Sequence, residues 1–173
     1  MSVHIIIDGY NLIRQSARWA PLDRRDLQLG REALIEALRA YRKVRPHRIT
    51  VVFDAAEAPG FEPRRDRQGG VEIRYSDYGQ SADALIRHMT LDIRERAMLV
   101  SSDRAVAESA AACGATVIDA PTFESRLSQA LAMENAVDSE AESDGWVPTT
   151  RKKGPRRRLP KRQRRSSVRL RKL

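Results

Sequence analysis

Short apolar runs alternate with amphipathic segments along the first 134 residues of the chain. Ile5, Ile6 and Ile7 follow one another without a polar residue, which is typical of a strand buried on both faces. The other predicted strands are residues 49–53, 71–75, 98–100 and 116–118. Apolar residues at helical spacing predict helices over residues 27–44, 82–94, 105–113 and 121–134. This alternation predicts an α/β fold, with helices on both faces of a central, mainly parallel sheet.

The segments between and after these elements have a different composition. Residues 14–25 are polar and irregular, and residues 55–70 are rich in Gly, Pro and charge, so we expect an exposed loop at 55–70. The helical spacing ends near residue 134, where one folded domain of residues 1–134 is expected to end. Residues 135–150 collect acidic side chains and are predicted to be a linker. Residues 151–173 are too poor in apolar side chains to fold alone, and we expect a disordered tail.

Charge is distributed unevenly between the domain and the tail. The whole chain carries 32 Lys and Arg against 23 Asp and Glu, a net charge of +9. Residues 151–173 contain 13 of the basic residues and no acid, which leaves 19 basic against 23 acidic residues before them. The tail, including Arg156, Arg157 and Arg158, is therefore predicted to bind RNA or the ribosome electrostatically. The alternative is a tail that only improves solubility.

Cysteine content and hydropathy narrow the class of protein further. Cys113 is the single cysteine, which excludes an internal disulfide and a cysteine-based metal site. No cationic segment precedes the N-terminal apolar run, and that run is too short for a secretion signal or a membrane span. We therefore expect a cytoplasmic protein without a membrane partner.

Four aspartates occupy equivalent places in this pattern. Asp8, Asp54 and Asp103 each follow a predicted strand, and Asp83 opens a predicted helix. In a parallel sheet the carboxyl ends of strands and the amino ends of the following helices lie at one edge, so the four could converge there, with Asn11 beside Asp8. Each aspartate taken singly is also an ordinary turn or helix-capping residue. Their coincidence is what indicates a site.

A converged cluster of aspartates needs a compensating cation or an altered protonation state. Two carboxylates about 5 Å apart repel by ~3 kcal/mol at an effective dielectric constant of 20. Carboxylate and amide oxygens without His or Cys select a hard ion such as Mg²⁺ or Mn²⁺, which suits phosphodiester hydrolysis. Tyr10 stands where an aspartyl-phosphate phosphatase needs its second Asp, and no glycine-rich nucleotide-binding motif is present.

The motifs D-G-Y-N at 8–11, V-F-D-A at 52–55, S-A-D at 81–83 and S-S-D at 101–103 resemble the NYN domain family. They are most similar to its YacP-like bacterial branch of small PIN-like ribonucleases. The resemblance covers residues 3–134 and leaves the basic tail outside the family pattern. It implies a PIN-like three-layer α/β/α sandwich with metal-dependent endoribonuclease activity.

By position, the resemblance assigns Asp8, Asp83 and Asp103 as acidic metal-binding residues and Asn11 as a residue that shapes the catalytic site. Asp54 matches a further acidic position and is the fourth expected metal-binding residue. The implied substrates are cellular RNAs, either mRNA or rRNA, with ribosome-associated RNA as a candidate. The alternative hypothesis is a non-catalytic RNA- or ribosome-binding protein.

An acidic cleft repels RNA, so cations near it must hold the substrate. The arginines expected beside the site are Arg14, Arg18, Arg64, Arg65 and Arg67. Trp19 and Tyr78 could stack on an unpaired base, a contact worth ~1–3 kcal/mol. The alternative for Trp19, which we favour, is packing in the core.

Overall fold

The computed structural model describes residues 3–57 and 64–140, with side chains as far as residue 133. The strands within these ranges are β1 (His4–Asp8), β2 (Arg48–Phe53), β3 (Arg65–Gln68), β4 (Val71–Tyr75), β5 (Ala97–Val100) and β6 (Thr116–Ile118). The α-helices within them are α1 (Gly9–Gln15), α2 (Ala20–Arg25), α3 (Leu27–Val44), α4 (Ala82–Ile93), α5 (Arg104–Ala112) and α6 (Ala120–Glu140). No helix in these ranges combines the length and apolar character that crossing a bilayer requires.

The strands form one sheet in the order β3-β4-β2-β1-β5-β6. All neighbours run parallel except β3 and β4, which are antiparallel. The central strand β1 pairs Ile5 with Ile49 of β2 and with Met98 of β5. Ile5, Ile6 and Ile7 are fully buried, as their unbroken apolar run predicts.

Helices cover both faces of the sheet and enclose two apolar clusters. On one face, Ile5 and Ile7 of β1 belong to a cluster that includes residues of α1, α3 and α6. On the other face, Ile6 packs in a cluster with residues of α4 and α5, such as Ile86 and Val106. Each fully buried aliphatic side chain contributes about 1.5–3 kcal/mol of transfer free energy. The predicted three-layer α/β/α sandwich is confirmed.

The structure departs from the predicted elements on the sheet edge. Residues 55–70 are not simply a loop, because Ala55–Glu57 form a 3₁₀ turn and Arg65–Gln68 form the antiparallel edge strand β3. Gly69 and Gly70, with φ values of 55° and 83°, make the turn into β4. β3 has no buried residue, so it lacks the apolar alternation by which strands are recognised in a sequence. Residues 58–63 lie outside the described residues.

Two helices also differ from prediction. α2 occupies part of the segment predicted to be irregular, with Pro21 in its first turn and Asp23 buried. α6 ends at Glu140 rather than near residue 134, so the first residues of the predicted acidic linker are helical. The remainder of that linker and the basic tail, residues 141–173, lie outside the described part of the chain.

Candidate active site at the carboxyl edge of the sheet

Asp8 is the last residue of β1 and the N-cap of α1. Its Oδ1 accepts a hydrogen bond from the backbone N–H of Asn11 (3.3 Å), and its Oδ2 accepts one from the Ser101 hydroxyl (3.3 Å). Burial, assisted by the nearby Asp83 and Asp103 carboxylates, raises the pKa of Asp8 from 3.8 to about 6. The two hydrogen bonds offset only part of this rise, so ionised Asp8 is held in an unfavourable environment.

Asp103 lies across from Asp8 at the start of α5. It caps this helix by accepting a hydrogen bond at Oδ1 from the Val106 N–H (3.0 Å). Its own N–H donates to the Ser101 hydroxyl (3.1 Å), the same hydroxyl that donates to Asp8. Ser101 therefore fixes the spacing between the two acidic positions.

Asn11 joins α1 to the loop that precedes α5. Its Oδ1 accepts a hydrogen bond from the Ser102 N–H (2.9 Å) and another from Gln15 Nε2 (3.3 Å). Because both donors are protein groups, the Asn11 amide oxygen serves to orient the loop that carries Asp103. This supports an orienting role for Asn11.

Asp54 follows β2 and is held by backbone amides. Its Oδ1 accepts from the Ala56 N–H (2.9 Å) and its Oδ2 from the Ala82 N–H (3.4 Å) at the start of α4. The carboxylate thereby anchors the amino end of α4 against β2, where it also interacts favourably with the helix dipole.

Asp83 lies in the first turn of α4, after the N-cap Ser81. Burial, together with the carboxylates of Asp103 and Asp54, raises its pKa above the ordinary range, while Arg87 acts in the opposite direction. No hydrogen bond reaches its carboxylate from the part of the chain that the structure describes. Asp83 is therefore the acid whose oxygens are most available to a ligand.

The four aspartates line one pocket of about 250 Å³, as their positions in the sequence predict. Asn11 is part of the same lining, and the further lining residues include Tyr10, Arg14, Gln15 and Glu57. Within residues 3–57 and 64–140, no three His, Cys, Asp or Glu side chains are already arranged so that they could hold a metal ion. The aspartates thus share a pocket and repel one another across it.

A family model described as the YacP-like NYN domain matches residues 5–172. The chain belongs to this family. The family match includes the basic tail, so the expectation that the tail lies outside the family pattern was wrong.

Relatives of known sequence and structure come from Bacillus subtilis. The chain is 27% identical over 85 residues to the uncharacterized protein YacP of strain 168, an alignment that covers 49% of this chain and 49% of that protein. The chain thus matches about half the length of this curated relative. The crystal structure of Rae1 (YacP) is similar with a TM-score of 0.67 at 21% identity, covering 83% of each chain. The crystal structure of a tryptophan-to-leucine mutant of Rae1 gives the same TM-score at 20% identity, over 82% of this chain and 85% of the mutant. These likenesses show the fold.

Among the predicted RNA-binding arginines that the structure describes, Arg14 alone lines the pocket of this NYN domain. Its guanidinium forms an ion pair with Glu57, lies 3.8 Å from Asp23 and stacks 5.0 Å from the centre of the Tyr10 ring. Tyr10 in turn accepts a hydrogen bond from the buried Arg31 (2.9 Å). This network was not predicted, because no local pattern in the sequence indicates that Glu57 contacts Arg14 of α1.

The two aromatic side chains considered for base stacking differ in exposure: Trp19 is buried and Tyr78 is exposed. Trp19 is 1% exposed and belongs to the core, so a stacking role for Trp19 was wrong and the core packing is confirmed. Arg18, 6.0 Å from the centre of the Trp19 ring, is exposed but does not line the pocket. Tyr78 is 95% exposed on the loop before α4 and remains available to a base.

The arginines of the 55–70 segment do not gather at the pocket as expected. Arg64 lies near the carboxyl end of β4, where it pairs with Asp77 (2.9 Å). Arg65 and Arg67 lie on β3, which runs antiparallel to β4 and therefore away from that edge. The tail arginines Arg156, Arg157 and Arg158 lie outside the described residues.

Gly9 follows Asp8 directly and lets an aromatic ring approach the backbone. A Cβ at this position would lie 2.3 Å from a ring carbon of Phe53. We expect Gly9→Ala to lower the free energy of unfolding by about 1–3 kcal/mol, the usual effect of overpacking a core. Urea unfolding measures this free energy, with Ala107→Gly in α5 as a control for an ordinary helix substitution. Gly79→Ala is not a suitable control, because Gly79 has a positive φ. A wild-type unfolding midpoint for Gly9→Ala would contradict the close contact.

Proposed function

We propose that this protein is a divalent-metal-dependent endoribonuclease, with the acidic pocket as its active site. The observation that carries the proposal is the convergence of Asp8, Asp54, Asp83 and Asp103 from four separate segments onto one pocket. Burial, with a smaller contribution from the neighbouring carboxylates, raises the pKa values of Asp8 and Asp83. Membership of the YacP-like NYN domain family supports RNA as the substrate.

The donor types suit a hard divalent cation, and the described carboxylates, which are not arranged to hold an ion as they stand, would have to draw closer together to bind it. Asp8, Asp83 and Asp103 offer carboxylate oxygens only, which suits Mg²⁺ or Mn²⁺, and these three residues would hold the ion. Each carboxyl oxygen of Asp8 accepts one hydrogen bond, which leaves acceptor capacity on both. Asp54 is bound by two backbone amides and supports the site from beside it. When bound, such an ion supplies metal-activated water and neutralises charge on a phosphodiester.

The remaining pocket residues have defined tasks in this proposal. Ser101 and Asn11 keep the acidic side chains and the loop after β5 in place through their hydrogen bonds. Arg14 is positioned by Glu57 and the Tyr10 ring to contact an RNA phosphate at the edge of the pocket. Its partial neutralisation by two acids makes this contact weaker than that of an unpaired arginine.

A non-catalytic RNA- or ribosome-binding protein is the alternative. A protein that only binds polyanions gains nothing from several carboxylates held together in a pocket, since they repel the ligand and destabilise the fold. We therefore favour the enzyme. Two further parts of this proposal are a cytoplasmic location, expected from the hydropathy of the sequence, and ribosome-associated mRNA as a substrate, implied by the family resemblance.

The proposal is tested by incubating the full chain with RNA and DNA of the same sequence. Fragments are mapped after reactions with Mg²⁺, with Mn²⁺ and with excess chelator. Internal cuts in RNA that require the metal support an endoribonuclease. Cleavage that persists in chelator, or removal of nucleotides only from an end, would contradict it.

A further inference from the structure

The sheet has a basic face at its β3–β4 side, apart from the residues that line the acidic pocket. In β4, Val71, Ile73 and Tyr75 face the core beneath α3, so Glu72 and Arg74 point to the opposite side. On that side α4 packs mainly against β1, β2 and β5. No helix of the described residues packs mainly on the face formed by β3, β4 and the start of β2, where the Arg48 and Arg65 side chains are 61% and 65% exposed.

Four arginines share this face, which we call the basic sheet face and define by Arg48, Arg65, Arg67 and Arg74. In the antiparallel register Arg65 stands opposite Arg74, and Arg67 stands opposite Glu72. A groove of about 670 Å³ runs along it, lined by Arg48, Arg65 and Arg67 with the acids Asp66 and Glu72. The four cations exceed these two acids, which leaves a positive surface.

Part of the basic sheet face is held in place from the core. The buried His4 ring contacts the Thr50 hydroxyl (2.8 Å), and that hydroxyl lies 3.5 Å from Glu72 Oε2. The Glu72 carboxylate in turn pairs with Arg65 (2.7 Å) and Arg48 (3.4 Å). Glu72 therefore fixes two guanidinium groups side by side on an otherwise exposed surface.

The other two arginines, Arg67 and Arg74, form no ion pair with any residue that the structure describes. The direct opposition of Arg65 and Arg74 is unfavourable, because like charges in a cross-strand pair repel. Charge on an edge strand can be explained by protection against aggregation. That explanation covers β3 but not Arg74 and Arg48, which belong to the inner strands β4 and β2.

We propose that the basic sheet face binds the phosphate backbone of the RNA substrate at a distance from the bond that is cut. The proposal rests on the proposed function, since it takes RNA as the ligand. The loop that carries the exposed Tyr78 joins the end of β4 to α4, whose Asp83 lines the pocket, so this loop connects the basic sheet face to the pocket. Arginines are suited to phosphate through paired N–H donors.

The test compares two double variants of the full chain with equal loss of charge. Arg67→Ala/Arg74→Ala removes the unpaired arginines of the basic sheet face. Arg24→Ala/Arg25→Ala removes two exposed arginines of α2, which packs against α3 in the opposite helical layer. Binding of a single-stranded RNA of about 16 nucleotides is measured in chelator over a range of salt concentrations, so that no cleavage occurs. Thermal unfolding confirms that both variants fold.

We expect the slope of log affinity against log salt to become shallower by about 1.4 for Arg67→Ala/Arg74→Ala, at about 0.7 per lost phosphate contact. The α2 control keeps the wild-type slope, and Arg67→Lys/Arg74→Lys restores most of it because lysine still binds phosphate. Equal slopes for the two alanine variants would overturn this inference while leaving cleavage by the wild type intact. A wild-type protein that binds no RNA would instead overturn the proposed function.

Discussion

Asp8→Asn is expected to abolish RNA cleavage and at the same time to make the folded protein more stable at neutral pH. The buried Asp8 carboxylate has a pKa raised to about 6, so its ionisation at pH 7 opposes folding in the absence of a cation. Asparagine has nearly the same shape and can retain an acceptor for the Asn11 N–H. It cannot supply the negative charge that a metal ion requires. We expect cleavage to fall about 1,000-fold or more, which is ~4 kcal/mol of barrier.

The stability gain has a defined pH dependence. Between pH 3.8 and about 6 the folded state binds a proton at Asp8 that the unfolded state has lost, so wild-type stability from this group falls as the pH rises. The difference between Asp8→Asn and wild type should be near zero below pH 3.8 and reach about 3 kcal/mol above pH 6. Urea unfolding in chelator at several pH values measures it. A difference that is constant with pH would contradict the raised pKa.

Asp83→Asn is expected to remove metal binding with little change in the fold. Its carboxylate accepts no hydrogen bond from the described residues, so few protein contacts are lost. In the wild type, Mn²⁺ at about 100 times its dissociation constant should stabilise the folded state by ~2.7 kcal/mol. We expect that stabilisation to vanish in Asp83→Asn and cleavage to fall by at least about 100-fold. Calorimetric titration with Mn²⁺ and thermal unfolding provide the two measurements.

Asp92→Asn is the matched control on the same helix. Asp92 lies in the last turns of α4, where its exposed carboxylate is 3.7 Å from His88 Nε2. Its loss removes the same charge from α4 without touching the pocket. Metal stabilisation and cleavage should stay at wild-type levels. Equal losses in Asp83→Asn and Asp92→Asn would show that net charge, rather than the pocket, governs metal binding.

The features that the sequence predicts correctly depend on local pattern and on one topological rule. Three consecutive isoleucines identify β1, and the rule that strand ends and helix starts share an edge brings Asp8, Asp54 and Asp83 to one pocket. Fold class follows from the same alternation. These inferences need no knowledge of how distant side chains meet.

The features that the sequence does not predict depend on contacts between distant segments. Arg65 and Arg67 were expected beside the pocket, because an edge strand with polar residues on both sides resembles a loop in sequence. The antiparallel pairing with β4 carries them away instead. The ion pair between Glu57 and Arg14 is likewise a contact between distant segments, and no residue spacing in the sequence predicts it.

The sequence also predicts too early an end for α6 and for the part of the chain that matches the family. The apolar spacing of α6 fades near residue 134, yet the helix continues to Glu140. A helix is defined by its backbone hydrogen bonds, so it can extend beyond the stretch in which apolar residues recur at helical spacing. The family match to residue 172 shows in the same way that short motifs underestimate the extent of a homologous chain.

The central claim is that the aspartate pocket holds the metal that RNA cleavage needs. Its most direct test is cleavage of one end-labelled RNA across a range of Mn²⁺ concentrations, with Mn²⁺ binding measured on the same samples of wild type and Asp83→Asn. The proposal predicts that wild-type cleavage rises with occupancy of the binding site and that Asp83→Asn shows neither binding nor cleavage in that range. Wild-type rates of cleavage by Asp83→Asn, or by the wild type in chelator, would contradict it.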